Sequence, residues 1–268
     1  MKTILSLGAG VQSTTLALMA AKGEVTPMPD CAIFADTMAE PLAVYEHLDW
    51  LETQLPYPVY RVCWDNLETK AVEVVSRKKD GKRYIRGYIP AFMESGLLSR
   101  TCTGNFKIFP VKRKVKELLG LRKHDRWPKK LSVTIWLGIS LDEIQRMKVS
   151  VDPWQKFAHP LIDKIMTRQH CKDWMVNNGY PVPPRSACIF CPFRSNEEWR
   201  NLSQADFLRA VEFENKLQNG AQKSIDDGIL QDLPYLHSSR IPIGEVNFTS
   251  QKDNQIDWID ECEGMCGV

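Results

Sequence analysis

The sequence predicts an α/β fold: a doubly wound, mainly parallel sheet with helices on both faces, followed by a helical, cysteine-bearing C-terminal region. Three observations predict it. Short apolar runs of strand length alternate with segments of helical period, the order that produces parallel βαβ crossovers and a sheet covered on both faces. A glycine-containing turn stands between the first strand and the first helix. At 268 residues, with 43% hydrophobic and 25% charged residues, the chain can bury the core of one α/β domain with a smaller appendage.

The elements follow in order. Residues 2–7 read as a short buried strand, and the helix after the turn runs over about 13–22 and stops at Gly23. A second apolar strand, 31–35, ends at Asp36-Thr37. Residues 41–55 carry Leu42, Tyr45, Leu48, Leu51 and Leu55 at helical spacing, a face that packs on a sheet. A third strand over 59–64 and a helix over 67–76 come next, then a polar, basic stretch to Arg100. The pattern resumes with a helix at 111–119, a strong strand at 131–139 and a short helix at 141–148.

Beyond His159 the character changes, which places a boundary between residues 1–165 and 166–268. A helix at 168–178, a proline-rich connection at 180–185, a Cys-x-x-Cys turn and a long helix at 197–217 are expected there. The last fifty residues have little periodicity and read as a tail or covering arm.

The formal charge is only +2, but Arg77-Lys78-Lys79, Lys82-Arg83 and Arg86 form one basic run, and Lys112-Arg113-Lys114 with Lys116 a second. Each is read either as a solvated face or as a site for a phosphate-rich partner, from a nucleotide to a nucleic-acid backbone. No segment approaches a membrane span, and the N-terminus lacks a signal peptide's apolar region, so a cytoplasmic location is expected. In a reducing compartment the eight cysteines read as metal ligands, reactive thiols or core fillers rather than disulfides.

The turn Gly8-Ala9-Gly10-Val11-Gln12-Ser13-Thr14 suits a phosphate: small residues let backbone approach, and a new helix offers N–H groups at its positive end. It lacks the lysine of a Walker A loop and the spacing of the Rossmann fingerprint. It resembles the PP-loop of the adenine nucleotide α-hydrolase superfamily, Ser-Gly-Gly-x-Asp-Ser. Gly10 and Ser13 are kept, while Gly8, Ala9 and Gln12 replace the first serine, the first glycine and the aspartate.

Further matches follow the order of the phosphoadenosine phosphosulfate (PAPS) reductase family. Phe34-Ala35-Asp36-Thr37 with Glu40 resembles its Asp-Thr-Gly motif, and Arg100-Thr101-Cys102, Lys107 and Pro110 its Arg-x-Cys…Lys…Pro stretch. Gly138-Ile139, Glu143 and Arg146 resemble its Gly-Ile-Arg…Glu…Arg segment, with Ser140 where arginine is usual, and His159-Pro160-Leu161 its His-Pro-Leu entry. The resemblance implies that residues 1–165 bind ATP or an adenylylsulfate-type nucleotide, accompanied by magnesium. The turn and Ser13 would hold phosphates and Asp36 the adenosine end, with Arg100, Lys107 and Arg146 offsetting phosphate or sulfate charge.

Cys188-Ile189-Phe190-Cys191-Pro192 is a turn with two thiols three apart, suited to a metal centre. The resemblance brings Cys102 to them, giving three ligands for a [4Fe–4S] cluster with one open iron, or with a fourth ligand a structural zinc. Threonines flank Cys102 where adenylylsulfate reductases have tandem cysteines, and three ligands look more like tRNA-thiolating PP-loop enzymes and DNA phosphorothioation sulfurtransferases. Glu261-Cys262-Glu263-Gly264 resembles the Glu-Cys-Gly tail of PAPS reductases, with Cys262 as nucleophile and Cys266 as resolving thiol or cluster ligand. Cys31, Cys63 and Cys171 are read as core, as are Trp136, Met147, Trp174 and Trp199, and His159 as a structural strand-end residue.

Sulfur transfer to an adenylated substrate through the cluster, with nucleic acid as one candidate substrate, is therefore expected. A cysteine desulfurase or a thioredoxin-type protein would be the donor. The competing expectations are a thiol-dependent PAPS or adenylylsulfate reductase using Cys262, and a zinc-containing nucleotide- or nucleic-acid-binding module.

Overall fold

The computed structural model describes residues 1–98 and 100–249. Its centre is a five-stranded, wholly parallel sheet built from β1 (Lys2–Leu7), β2 (Cys31–Ala35), β3 (Val59–Val62), β8 (Val133–Leu137) and β9 (Gln155–Ala158), in the order β3-β2-β1-β8-β9. The chain winds outward from β1 to β3 and then crosses to the other side of β1. The topological switch point thus lies between β1 and β8, where Leu5 pairs with Trp136 on one side and with Ala32 on the other.

Strand alternation sorts the core. Leu5, Leu7, Phe34 and Trp136 point to one face, where α1 (Val11–Ala21), α2 (Leu42–Gln54) and α6 (Arg168–Asn177) cover them. Ile4, Ile33, Ile135 and Leu137 point to the other, against Val111 and Val115 of α4 (Phe109–Leu118). Both faces of the central strands β1, β2 and β8 are buried, which is why these strands read as largely apolar runs. This is the doubly wound α/β architecture that the alternating pattern predicted.

The sequence reading failed where short elements depend on partners. Its helix over 67–76 is α3 (Leu67–Val72) followed by β4 (Val74–Ser76), which pairs antiparallel with β5 (Arg83–Ile85). The basic stretch before Arg100 holds that hairpin and a second, β6 (Ala91–Met93) with β7 (Gly96–Leu98). Strand β9, Gln-Lys-Phe-Ala, was not predicted, because an edge strand with polar residues carries no apolar run. The short helix expected at 141–148 is a 3₁₀ segment, Leu141–Arg146. A short α5 (Pro160–Asp163) follows β9.

The long helix expected at 197–217 is two helices, α7 (Asn196–Arg200) and α8 (Gln204–Asp226). Ser195 and Glu198 form a capping box on the first, and Ser203 caps the second. Helix α8 packs on α3 and β5, and with the hairpins and the Cys-x-x-Cys segment it closes a further core around Phe106, Phe190, Trp199 and Phe213. Cys31 and Cys171 are core, as expected, but Cys63 is exposed just past the edge strand β3, and Met147 is exposed in a loop. Trp136 and Trp199 are buried, and Trp174 is partly buried against α1's side of the sheet. Among the described residues no helix is long and apolar enough to cross a membrane.

Candidate functional site

Two constellations lie at the carboxyl ends of the strands, where ligands of open α/β sheets collect. The first is the turn after β1. Ala9 adopts φ +59°, so the chain reverses within Gly8–Gly10 and enters α1 with Gly10 as N-cap. No side chain caps α1 and no acid stands in its first turn. The Ser13 hydroxyl accepts from the Gly8 N–H at 3.2 Å and sits 3.4 Å from the Gly10 carbonyl, so it braces the turn from within. The whole turn is buried, and a buried, uncapped helix N-terminus presents N–H groups that require an acceptor.

Gly138 closes the other side of the switch point. A Cβ there would lie 2.8 Å from the Ser13 nitrogen and 2.9 Å from its Cα. The bare glycine lets the end of β8 press against the first turn of α1. Gln12 donates from Nε2 to the Ser140 hydroxyl at 3.4 Å, and its Oε1 is buried with no partner. Turning the amide about would make the spare atom an N–H donor suited to an anion. Thr14 Oγ1 lies 3.1 Å from His47 Nε2 of α2, and burial lowers the His47 pKa to about 4, keeping the ring neutral.

The second constellation is a pocket lined by Thr37, Arg100, Cys102, Lys107, Cys188 and Cys191 together with apolar side chains. Cys102 starts the π-helical turn Thr103–Ile108, which carries Lys107 and runs straight into α4. Cys188 and Cys191 are held by a tight turn, with the Cys191 N–H donating to the Cys188 carbonyl at 3.0 Å. Ile189 N–H donates to the Ala39 carbonyl at 2.7 Å, and Thr37 Oγ1 lies 3.4 Å from Cys188 Sγ. The loop after β2 thereby fixes the cysteine turn beside the sheet.

Arg194 is the clamp that the sequence reading overlooked. It is buried, and its guanidinium donates to the carbonyls of Ala187 at 2.8 Å, Cys188 at 3.1 Å and Ile189 at 3.1 Å. Its position three residues past Cys191 was the only available signal. Glu40, also buried, has Oε1 3.9 Å from Lys107 Nζ and 4.0 Å from Cys188 Sγ. Burial foremost, and then the Glu40 carboxylate, push the Cys188 thiol well up, while Lys107 pulls the other way.

The structure therefore gathers Gly8, Ala9, Gly10, Gln12, Ser13, Thr14 and Gly138 at the switch point, and Arg100, Lys107 and the three cysteines in the neighbouring pocket. Asp36 directly follows β2, and its carboxylate accepts from Met38 N–H at 2.7 Å and the Tyr45 hydroxyl at 2.8 Å, pinning the loop between the two sites. Arg146 is held by Glu143 at 2.9 Å and does not line the cysteine pocket. His159 follows β9. Cys262 and Cys266 lie outside the described residues.

Three thiols in one apolar pocket have the chemistry of a soft-metal site. Their arrangement does not match one: among the described residues no group of three or more His, Cys, Asp or Glu side chains is placed to hold a metal ion. A tetrahedral zinc needs thiolate donors converging to about 2.3 Å. The cavity measures about 30 Å³, room for one or two water-sized atoms. One sulfur atom fits that space.

No family profile matches the sequence, and no curated protein matches it. Among solved structures, the chain is similar to the crystal structure of PAPS reductase from Candida auris in its phosphate complex. The identity is 15% and the TM-score 0.44, over 68% of this chain and 75% of that one.

Proposed function

We propose that this chain is an adenine-nucleotide-binding enzyme of sulfur chemistry that delivers sulfur from its cysteine pocket to a substrate activated by adenylation. The observation that carries the reading is the meeting of Cys102, Cys188 and Cys191 with Arg100 and Lys107 beside the end of β2. The uncapped start of α1 and the spare amide atom of Gln12 support a phosphate site one strand away.

Sulfur carriage by the thiols themselves suits the space available. A donor persulfide, such as that of a cysteine desulfurase, passes its outer sulfur to Cys188, and Lys107 stabilises the Cys188 thiolate that accepts it. That sulfur attacks the adenylated carbon and AMP leaves, joining Cys188 to the substrate through a disulfide. The Cys191 thiol then displaces the substrate thiol and leaves a Cys188–Cys191 disulfide, which a thioredoxin-type dithiol reduces.

The test loads anaerobic protein with a cysteine desulfurase and cysteine, then measures cyanide-labile sulfur together with metal content and absorbance. Stoichiometric labile sulfur that disappears in Cys188→Ser is expected. Stoichiometric iron with broad thiolate-to-iron absorbance, lost in any of the three Ser variants, would replace the persulfide by a cluster, and stoichiometric zinc would make the site structural. Separately, ATP or an adenylylsulfate should raise the melting temperature where guanine nucleotides do not.

A further inference from the structure

The two basic runs have different fates in the fold. In the β4–β5 hairpin Arg77 pairs with Asp80, and Arg83 with Asp227 at the end of α8. The second run grows. Residues 112–130 contain nine Lys and Arg against Glu117 and Asp125, a local excess of seven in a chain whose formal charge is +2.

The acids around that surface are already matched. Lys112 takes Asp152 at 2.8 Å, Lys114 takes Glu117 at 2.7 Å, and Arg122 takes Asp125 at 3.4 Å. Arg113, Lys123, Arg126, Lys129 and Lys130 are exposed and have no ion pair among the described residues. Their loop is fixed in place. Lys116 Nζ donates to the carbonyls of Lys123 at 2.8 Å and Asp125 at 2.6 Å, and Trp127 stacks on Trp154 with ring centres 3.9 Å apart. The result is a rigid cationic shelf along α4, itself about 15 Å long.

The shelf leads to the cysteine pocket. Helix α4 continues directly from the turn that holds Lys107, and its first residue, Phe109, is 50% exposed. Trp64, 36% exposed, lies edge-on to Phe109 at 6.3 Å and to Phe106 at 4.7 Å, in the core beside the pocket. Unpaired cations tracking away from an exposed aromatic pair are the arrangement that binds a flexible polyanion with stackable bases.

We infer that this face docks a single strand of nucleic acid, its phosphates on Arg113, Lys123, Arg126, Lys129 and Lys130 and a base on the Trp64–Phe109 pair. This deepens the proposed function by naming the acceptor's class, and it rests on that reading only for the delivery of sulfur. Duplex would present its bases edge-on and leave the aromatic pair unused. The exposed Val149 and Val151 beside Lys148 make an anionic membrane the competing occupant.

The test measures anisotropy of labelled oligo(U) and oligo(dT) with the full chain across a salt series, without nucleotide. Wild type should bind, and log K should fall linearly with log salt. The triple variant Lys123→Gln, Arg126→Gln, Lys129→Gln should lower that slope by about 2, at roughly 0.7 per lost phosphate contact. Phe109→Ala should weaken binding about tenfold while leaving the slope unchanged.

The hairpin triple Lys78→Gln, Lys79→Gln, Lys82→Gln should change neither quantity. The two probes report whether the strand is RNA or DNA. Absence of binding to both at low salt, equal loss in the hairpin triple, or binding to phosphatidylserine vesicles but to neither oligonucleotide would overturn the inference. Because no nucleotide is present, failure here leaves the adenine-nucleotide melting shift standing, and failure of that shift leaves this binding standing.

Discussion

Replacing Gly138 by alanine probes the switch point with the least chemistry. The added methyl carbon would sit 2.8 Å from the Ser13 nitrogen, 2.9 Å from its Cα and 3.1 Å from its Cβ. Ordinary contact begins near 3.4 Å, so something must yield by about 0.6 Å. Neither side is a flexible side chain: one is the end of a central strand and the other the first turn of a buried helix. Overpacking of this kind costs about 1–3 kcal/mol. For a chain of this size that lowers the melting temperature by roughly 2–5 °C.

The displaced atom is also a first-turn nitrogen of α1, so the rise in melting temperature on adding ATP should shrink as well. Gly104→Ala is the control, because its Cβ would meet nothing within 4 Å. Differential scanning calorimetry with and without nucleotide reads both effects. A Gly138→Ala protein that melts with the wild type and keeps the full nucleotide shift would refute the close approach and the role assigned to the turn.

Three further outcomes are expected. His47 has a pKa of about 4 in the folded protein against 6.5 for the free side chain. Stability from its neutral ring is therefore complete above pH 6.5 and is lost as pH falls from there towards 4, by about 3 kcal/mol at most. Urea titrations of the wild type and His47→Gln should diverge in slope over that window, and parallel curves would refute the assignment. Arg194→Met leaves three carbonyls of the cysteine turn without their donor and should cost about 3–5 kcal/mol, seen in denaturation and as faster alkylation of Cys188; an unchanged alkylation rate would count against the clamp. The buried Glu214 of α8 accepts from the N–H groups of Leu236 at 2.8 Å and Ile243 at 2.5 Å. Glu214→Ala should therefore destabilise by about 2–4 kcal/mol and expose residues 236–243 to hydrogen exchange, and native protection there would contradict it.

Much of the fold was legible because its signals are local. Strands β1, β2 and β8 are buried on both faces and so appear as largely apolar runs, and the turn after β1 announces itself through two glycines beside a hydroxyl pair. The three cysteines could be grouped only through the order of family-like motifs, since nothing in their spacing connects residue 102 to 188.

Tertiary structure alone decided the rest. Whether Val74–Ser76 extends a helix or forms a hairpin depends on β5 and α8, and whether Gln155–Ala158 is a strand depends on the open edge of β8. That Gly138 must stay bare follows from Ser13, far away in sequence, which occupies the space beside it. Burial likewise turned Arg194 into the clamp of the cysteine turn, and the fold set the second basic run, not the first, on the helix that leaves the cysteine pocket beside the exposed Phe109. Periodicity and turn chemistry act between neighbours along the chain and can be read from it. Burial, charge compensation and close approach are sums over residues that only folding brings together, so they belong to the structure.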